Sequence, residues 1–320
     1  MKKERNIFMS IKLIVLIIVV AAVLFLIYNL YCGYSIYKSS AQRSTNERTS
    51  DMVLINWLTD DKGFDFYDFT DTYTIEEISI TSKYGGHSIP ASYIYAKGRV
   101  DKNAPTAIMV HGLLGNRLSN YPMSQMFLDL GYNVITYDQR SSGGNTAPYT
   151  TYGFMESYDV IDYVNYAREQ MGDDDKLVVW GQSLGAATIS NAMDTAVFSN
   201  NVDYVILDSP LGNAEDMMTR PTASGKLRIF FADIFNKAKI GYTFKEQRVY
   251  PQIENTPLPV MVACSKGDSS IPYELEERVY NTIKNNKKVL YTVEDSDHSD
   301  IYFDHPEEYS KKIAEFISEP

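Results

Sequence analysis

Cysteine is scarce in this chain, with two such residues among 320. Cys32 ends an apolar N-terminal run and Cys264 lies in a predicted buried strand, so we expect no disulfide between them. No group of Cys and His residues has the spacing of metal ligands, and no G-x-G-x-x-G motif follows a predicted strand. The sequence therefore predicts neither a metal ion nor an organic cofactor.

Positive charge is also in short supply, because 30 Lys and Arg stand against 41 Asp and Glu, with a formal net charge of −11 at pH 7. A chain this acidic repels the phosphate backbone of nucleic acids. We therefore expect no nucleic-acid partner. The composition is otherwise that of a globular protein with a sizeable apolar core.

Long apolar runs are absent except at residues 13–32 (LIVLIIVVAAVLFLIYNLYC). About 20 such residues cross a hydrocarbon layer of roughly 30 Å. Tyrosines gather at the far end and four basic residues precede the run, which favours a cytoplasmic N-terminus with the rest of the chain outside. A cleaved signal peptide is the competing interpretation, but the run is long for a signal core and no A-x-A site follows. We expect a single-pass anchor in the cell membrane.

The composition predicts how the chain is divided. Residues 1–12 form a short cytoplasmic N-terminus before the anchor. Residues 33–72 are expected to form a stalk and lead-in segment, with a polar Ser/Thr-rich stalk over 35–51. A short helix within 52–72 is expected to pack on the body, which is a single domain over residues 73–320.

From residue 73 onward, short β-branched runs alternate with amphipathic stretches. Eight runs are predicted to be strands, at residues 73–81, 89–95, 106–110, 133–137, 176–180, 204–208, 259–263 and 288–293. Helices are predicted near residues 120–130, 154–171, 184–198, 272–286 and 306–318. Continuous apolar strands separated by helices indicate an α/β fold, with a mostly parallel eight-stranded sheet that is covered on both faces.

One interval breaks this rhythm. About 50 residues separate the strand that ends at Asp208 from the strand that begins at Pro259, and a structureless loop of that length is uncommon in a compact domain. The interval contains RIFFADIF at residues 228–235, which is apolar and has a helical pattern. We therefore expect a small helical cap over residues 210–256, inserted above the edge of the sheet.

Gly181-Gln182-Ser183-Leu184-Gly185 matches the motif G-x-S-x-G, between a predicted buried strand and a helix of small residues. A strand-to-helix turn this tight strains the backbone at the serine, requires small neighbours and lifts the hydroxyl above the sheet. A serine that only caps the helix is the alternative interpretation. We expect Ser183 to be a catalytic nucleophile.

A serine nucleophile needs a general base, and the chain offers four histidines. His298 follows the last predicted strand, where the base belongs in the chain order Ser, Asp or Glu, His. An exposed histidine without a catalytic role is the alternative for any of them. We expect His298 to be the base rather than His87, His111 or His305.

The acid of such a triad should follow a strand between the nucleophile and the base. Asp268 lies there, directly before a predicted helix, and its role would be to fix the imidazole tautomer and to stabilise the imidazolium. Its alternative role is that of a helix cap, because aspartate favours helix starts. Asp208, which follows the preceding strand, is the second candidate for the acid.

Two backbone N–H groups should bind the charge that develops on the substrate oxygen. One is expected from Leu184, the residue after the nucleophile. The other is expected from Leu113, in the loop His111-Gly112-Leu113-Leu114-Gly115 that follows the third strand. In this interpretation His111 orients the loop and is not the base.

These motifs resemble those of the α/β-hydrolase superfamily, and more closely those of membrane-anchored bacterial hydrolases of the serine aminopeptidase and dienelactone-hydrolase-like groups. The resemblance covers most of residues 73–318, and two stretches depart from it. Many relatives have Arg-Gly-His-Gly at residues 140–144 and His-Gly at 264–265, where this chain has RSSGG and CS. The matching stretches are HGLLGN (111–116), GYNVITYDQRSSGGN (131–145), GQSLGAAT (181–188), GYTFKEQ (241–247) and SKGDSSIP (265–272).

The resemblance and the triad residues together imply a hydrolase. It would cleave a carboxylic ester, thioester or amide of a small-molecule acyl, ester or peptide-like substrate through an acyl-serine intermediate. A cell-surface acyltransferase with the same triad and a non-catalytic binding module on a retained fold are the alternatives. The presence of Ser183, Asp268 and His298 favours an enzyme. The apolar cap suggests a hydrophobic substrate group, although apolar residues more often simply pack.

Overall fold

The computed structural model describes residues 2–40, 50–218 and 222–318. All eight predicted strands are present, and their ends differ from the predicted ones by at most two residues. The strands are β1 (Ile75–Thr81), β2 (Ser88–Ile94), β3 (Thr106–Val110), β4 (Asn133–Tyr137), β5 (Leu177–Gln182), β6 (Tyr204–Asp208), β7 (Val260–Ser265) and β8 (Lys288–Val293).

The helices lie close to the predicted positions. The helix expected over 184–198 is divided in two, because the Thr195 side chain accepts a hydrogen bond from the Phe198 N–H and starts a new helix. A 3₁₀ turn, Arg117–Asn120, precedes the fourth helix. The α-helices of the described residues are α1 (Lys2–Ser40), α2 (Asp51–Asp60), α3 (Phe66–Thr72), α4 (Tyr121–Leu128), α5 (Glu156–Gln170), α6 (Leu184–Ala192), α7 (Ala196–Asn201), α8 (Ala214–Met218), α9 (Ala223–Lys239), α10 (Val249–Ile253), α11 (Tyr273–Thr282), α12 (Ile301–Asp304) and α13 (Pro306–Ser318).

The strands form one sheet in the order β1-β2-β4-β3-β5-β6-β7-β8. β1 pairs with β2, and β2 with β4, in antiparallel fashion, while every other neighbouring pair is parallel. The mostly parallel sheet is thereby confirmed. β4 and β5 lie on opposite sides of β3, and such a reversal opens a crevice at the carboxyl ends of the strands. Ligand sites of open α/β sheets lie in this crevice.

Both faces of the sheet are buried, as continuous apolar strands predict. In β3, Ile108 and Val110 belong to one apolar layer, while Ala107 and Met109 belong to the other. The first layer includes residues of α5 and α6, and the second includes residues of α4 and α13. Helices therefore cover both sides of the sheet and leave its carboxyl edge for loops.

Helix α1 differs from the prediction at its far end. Residues Ile11–Ser39 are long and apolar enough to cross a membrane, which extends the predicted run of 13–32. The helix continues to Ser40, so the stalk expected from residue 35 does not begin there, and residues 41–49 lie outside the described residues. The extra turns are stabilised because Gly33 and Tyr37 pack against α9.

The lead-in segment forms two helices that pack on the body. Ser50 caps α2 and Asp65 caps α3, each by accepting a hydrogen bond from a backbone N–H three residues later. Leu58 and Phe69 of these helices are buried in the second apolar layer. The interval 210–256, predicted as a cap, contains α8, α9 and α10 within its described residues.

Candidate active site

Ser183 lies in the turn between β5 and α6, with φ 54° and ψ −113°. A positive φ is uncommon for a residue other than glycine and costs about 1–3 kcal/mol. The turn is packed too closely for larger neighbours. A Cβ at Gly185 would overlap the carbonyl oxygen of Val110 in β3, and one at Gly181 would lie 2.7 Å from the Gly185 carbonyl carbon. The two glycines of the motif are therefore required by close packing.

His298, in the loop after β8, lies between the other two predicted triad members. Its Nε2 atom is 2.8 Å from Ser183 Oγ and its Nδ1 atom is 2.6 Å from Asp268 Oδ2. With an ionised carboxylate, Nδ1 carries the proton and its N–H donates a hydrogen bond to Asp268. This tautomer leaves the Nε2 lone pair to accept the serine hydroxyl. The geometry therefore supports removal of the hydroxyl proton by the imidazole.

Asp268 lies in the loop that follows β7, and its side chain is fully buried. Burial raises the pKa of the carboxyl group, but hydrogen bonds from His298 and from the N–H groups of Ile271 and Ser270 outweigh that effect. The pKa of Asp268 therefore lies below its ordinary value. The group is ionised at neutral pH and can stabilise an imidazolium.

Asp208, the second candidate for the acid, has different partners. Its buried carboxylate accepts hydrogen bonds from Tyr309 Oη at 2.8 Å and from Ser209 Oγ at 3.0 Å. Burial raises the pKa of Asp208 to about 6. Its carbonyl oxygen accepts the Ser183 N–H at 2.8 Å and so supports the turn. The structure thus brings Asp268, and not Asp208, to His298.

The loop that follows β3 passes directly beside Ser183. A Cβ at Gly112 would lie 3.5 Å from the Cβ of Ser183. Leu113 is the next residue, and Leu184 opens α6 on the other side of the nucleophile. The first N–H groups of a helix lack intrahelical acceptors. Both predicted donors of the oxyanion hole therefore belong to segments that border the serine.

His111 holds this loop in place. Its Nε2 atom accepts the Gln139 N–H at 3.0 Å, and its Nδ1 atom donates to the Gly112 carbonyl oxygen at 2.7 Å. Both ring nitrogens are thus occupied by backbone groups, as an orienting role requires. The remaining two histidines pair with carboxylates elsewhere, His87 with Asp159 and His305 with Asp295.

Two residues that sequence reasoning did not single out hold the loops of the triad. Asp297 Oδ1 accepts hydrogen bonds from Ser269 Oγ at 2.8 Å and from the N–H groups of Ser269 and His298. These bonds lower the pKa of Asp297 to about 2. Gln182 Nε2 donates to the Ser299 carbonyl oxygen at 3.0 Å. The acidic residues around His298 in the sequence could have indicated a carboxylate with such a role. The sequence alone does not show which of these carboxylates accepts hydrogen bonds from Ser269 and His298.

Glu276, on α11, is fully buried beside Asp268. Its Oε2 atom accepts the Ser265 N–H at 3.1 Å. Burial raises the pKa of Glu276 to about 9, and the charge of Asp268 adds to the shift. Glu276 is therefore protonated at neutral pH and adds no second charge next to the ionised Asp268.

One ligand atom each from Asp268, Glu276 and His298 lies within 4.8 Å of the others, which is close enough to surround a cation. The donor set fits a cation poorly. Both ring nitrogens of His298 are engaged with Ser183 and Asp268, and Glu276 carries its proton at neutral pH. A cation would have to break these bonds and displace that proton.

Comparison with known proteins identifies the family. The model of a family described as having the alpha/beta hydrolase fold matches residues 105–240. The chain is 31% identical over 238 residues to the uncharacterized protein YqkD of Bacillus subtilis, covering 72% of this chain and 77% of YqkD. It is 25% identical over 258 residues to the uncharacterized protein YfhR of Escherichia coli K12, covering 77% and 82%.

Solved structures share the fold. The esterase Pf2001 of Pyrococcus furiosus superposes with a TM-score of 0.61 at 21% identity, covering 80% of this chain and 95% of the esterase. Est1E of Butyrivibrio proteoclasticus, bound to ferulic acid, gives a TM-score of 0.59 at 16% identity, covering 76% and 100%. The more specific resemblance to the serine aminopeptidase and dienelactone-hydrolase-like groups stays a prediction. Family model, relatives and fold agree that this chain belongs to the α/β-hydrolase family.

Proposed function

We propose that this protein is a serine hydrolase that cleaves a carboxylic ester, thioester or amide through an acyl-serine intermediate. The observation that carries the proposal is the position of His298, which bridges Ser183 Oγ at 2.8 Å and Asp268 Oδ2 at 2.6 Å. An unbroken hydrogen-bonded chain from carboxylate to hydroxyl is the arrangement that activates a serine.

The first half of the reaction acylates the serine. His298 Nε2 takes the hydroxyl proton while Ser183 Oγ forms a bond to the substrate carbonyl carbon. The backbone N–H groups of Leu184 and Leu113 donate to the negatively charged oxygen of the tetrahedral intermediate. Asp268 stabilises the imidazolium. The imidazolium then gives its proton to the leaving alcohol, thiol or amine as the bond to the carbonyl carbon breaks.

The second half releases the acid. Water enters, His298 Nε2 removes one of its protons, and the hydroxide oxygen attacks the acyl carbon. The same N–H groups bind the second oxyanion, and collapse of the intermediate returns the proton to Ser183. The strained backbone at Ser183 (φ 54°) holds the hydroxyl at the sheet edge through both halves.

A carboxylic ester is the substrate class that we favour for the first assays. One similar structure is named as an esterase, and another, Est1E, has ferulic acid bound. Both structures are less than 25% identical to this chain, so they show the fold, and esters are our choice of substrate for the first assays. No organic cofactor is needed for the proposed reaction.

We propose further that residues 13–32 anchor the protein in the cell membrane as a single span. The N-terminus (1–12) would lie in the cytoplasm, and the hydrolase domain of residues 73–320 outside it. The supporting observations are the length of the apolar helix Ile11–Ser39 and the basic residues that precede it. The segment 33–72 connects anchor and domain.

Pre-steady-state hydrolysis of a p-nitrophenyl ester tests the proposed chemistry. If release of the acid is slow, we expect a burst of p-nitrophenol equal to the enzyme concentration, and otherwise a steady rate of release. Ser183→Ala should abolish either one. Ser190→Ala, which changes a buried serine of the same helix α6, is the matched control and should keep the rate. Hydrolysis that survives Ser183→Ala would refute the proposal. Faster release with an added acyl acceptor would instead indicate a transferase.

A further inference from the structure

The cap helix α9 is attached to the far end of the membrane helix α1. Asn29 is fully buried, and its Oδ1 atom accepts hydrogen bonds from Ser224 Oγ at 2.9 Å and from Arg228 Nε at 3.3 Å. A Cβ at Gly33 would lie 2.5 Å from Phe231 Cβ. The two helices therefore touch, with polar groups satisfied at the contact.

Aromatic rings extend this contact toward the end of α1. The ring of Phe235 lies 5.2 Å from that of Tyr34 and 6.1 Å from that of Tyr37, measured between centroids. The guanidinium of Arg228 lies 5.4 Å from the ring centroid of Tyr28. The contact thus spans about three turns of α1, from Tyr28 to Tyr37.

This contact sets the depth of α9 in a membrane. Lys12 is the last basic residue before the apolar run, and Asn29 lies ~26 Å beyond it along the helix, at about 1.5 Å per residue. The hydrocarbon layer is roughly 30 Å thick. If α1 spans the bilayer, α9 therefore begins at the outer boundary between hydrocarbon and headgroups, where tyrosine rings are also favoured, and extends outward beside α1.

The surface of α9 suits that depth. Phe230 and Ile234 are 54% and 47% exposed and lie one turn apart. Successive helical residues are about 100° apart, so these two side chains flank the row formed by Phe231 and Phe235, which faces α1. The exposed apolar surface is therefore continuous with the membrane helix.

Basic residues lie near both ends of α9. Lys226 and Lys239 are exposed, and Lys239 lies in the last turn. The contacts advance together along the two helices, from Asn29 with Ser224 to Tyr37 with Phe235. Helix α9 therefore runs alongside α1 and crosses the interface region, where apolar rings and lysine side chains are both favoured. The remaining face, which includes Ile229 and Ala232, is buried in the body of the protein.

We propose that α9 crosses the interface of the outer leaflet with Phe230 and Ile234 at the boundary between acyl chains and headgroups, and that the enzyme takes an acyl lipid from this leaflet. The second part rests on the proposed hydrolase function. It is supported by the segment that leads into the cap, which begins beside the nucleophile, since the Leu211 N–H donates to the Ser183 carbonyl oxygen at 3.3 Å.

Tryptophan fluorescence tests the position of α9 without any catalysis. The full chain would be reconstituted in vesicles of phosphatidylcholine and phosphatidylglycerol, with and without brominated acyl chains. Phe230→Trp would be placed in a Trp57→Phe background, and Val100→Trp in the same background is the control. Val100 is 75% exposed and precedes β3, at the sheet edge opposite the candidate site.

We expect bromine to quench Phe230→Trp strongly, with emission at shorter wavelength, and to leave Val100→Trp unchanged. Equal quenching of the two variants would overturn the proposal for α9. An unquenched Phe230→Trp whose far-UV circular dichroism matches that of the wild type would overturn it as well.

The substrate class needs a second experiment. The rates on a long-chain acylglycerol in the vesicles and on p-nitrophenyl acetate in solution would be measured for the double variant Phe230→Ser, Ile234→Ser. In the double variant we expect the ratio of the acylglycerol rate to the acetate rate to fall on the order of tenfold. The control Val100→Ser should have the ratio of the wild type. An unchanged ratio would overturn the lipid substrate. If the wild type hydrolyses neither ester, the proposed hydrolase function fails instead, and the quenching result stands by itself.

Discussion

The carboxylate of Asp297 binds Ser269, with Oδ1 at 2.8 Å from the hydroxyl and 3.0 Å from the backbone N–H. This contact joins the loop after β7, which carries Asp268, to the loop after β8, which carries His298. The strands do not fix these two loops directly, so the relative position of the loops depends on such bonds. Asp297 is therefore a positioning residue for the proposed triad.

Asp297→Ala tests this role. Without the carboxylate, the two loops can separate by an ångström or more, and we expect kcat to fall on the order of 10²-fold with little change in KM. Asp295→Ala is the matched control, because Asp295 lies in the same loop and binds His305 instead. Steady-state kinetics on a soluble ester measure both variants. Equal effects of the two substitutions would show that the Ser269 contact has no special role.

The choice between two acids gives a second prediction. Asp268→Asn should lower kcat on the order of 10⁴-fold, because an amide cannot stabilise the imidazolium and favours the wrong tautomer. Asp208→Asn should lower kcat less than tenfold, since that carboxylate binds Tyr309 and Ser209 rather than the imidazole. Kinetics with thermal unfolding as a folding check measure both. A larger loss in Asp208→Asn would reverse the assignment of the acid.

The buried Glu276 predicts a pH dependence of stability. Its pKa is raised from 4.5 to about 9 in the folded state, so the folded protein holds a proton that the unfolded chain releases between these values. Stability is therefore expected to fall as pH rises through this window. Glu276→Gln removes the titrating group, and the fall from pH 6 to pH 9 should become shallower.

Thermal unfolding at several pH values measures this effect. Glu274→Gln, an exposed residue of the same helix α11, is the control and should follow the wild type. Parallel curves for the wild type and Glu276→Gln would mean that Glu276 does not bind a proton on folding.

The orientation of the anchor gives a fourth prediction. In intact bacterial spheroplasts, added protease should remove an epitope fused after Pro320 and spare one fused before Met1, because the basic residues 2–12 favour the cytoplasmic side. Immunoblots of both fusions, with and without lysis, measure the outcome. Protection of the C-terminal epitope together with loss of the N-terminal one would invert the proposed topology.

Much of the fold was predictable from local patterns. Runs such as TAIMV and YVILD are apolar throughout because both faces of the sheet are covered, and they lie in β3 and β6. Ser183 was identifiable because its motif imposes a strained turn that needs Gly181 and Gly185, whatever the rest of the chain does. Chain order then pointed to Asp268 and His298.

The features that were missed depend on contacts between distant segments. The extension of α1 to Ser40 follows from packing on α9, almost 200 residues away: the hydrogen-bonded Asn29 and Ser224 are 195 positions apart in sequence. Glu276 resembles its exposed neighbours in sequence, and only the position of α11 under Asp268 buries it. Local propensity and periodicity contain no information about such contacts.

The central claim is that His298 and Asp268 activate Ser183, and active-site labelling tests it most directly. The full chain would be treated with a fluorophosphonate probe and its peptides mapped by mass spectrometry. We predict a single adduct on Ser183, labelling that is strongly slowed in His298→Ala and absent in Ser183→Ala. An adduct on another residue, or equal labelling of the wild type and Ser183→Ala, would contradict the account.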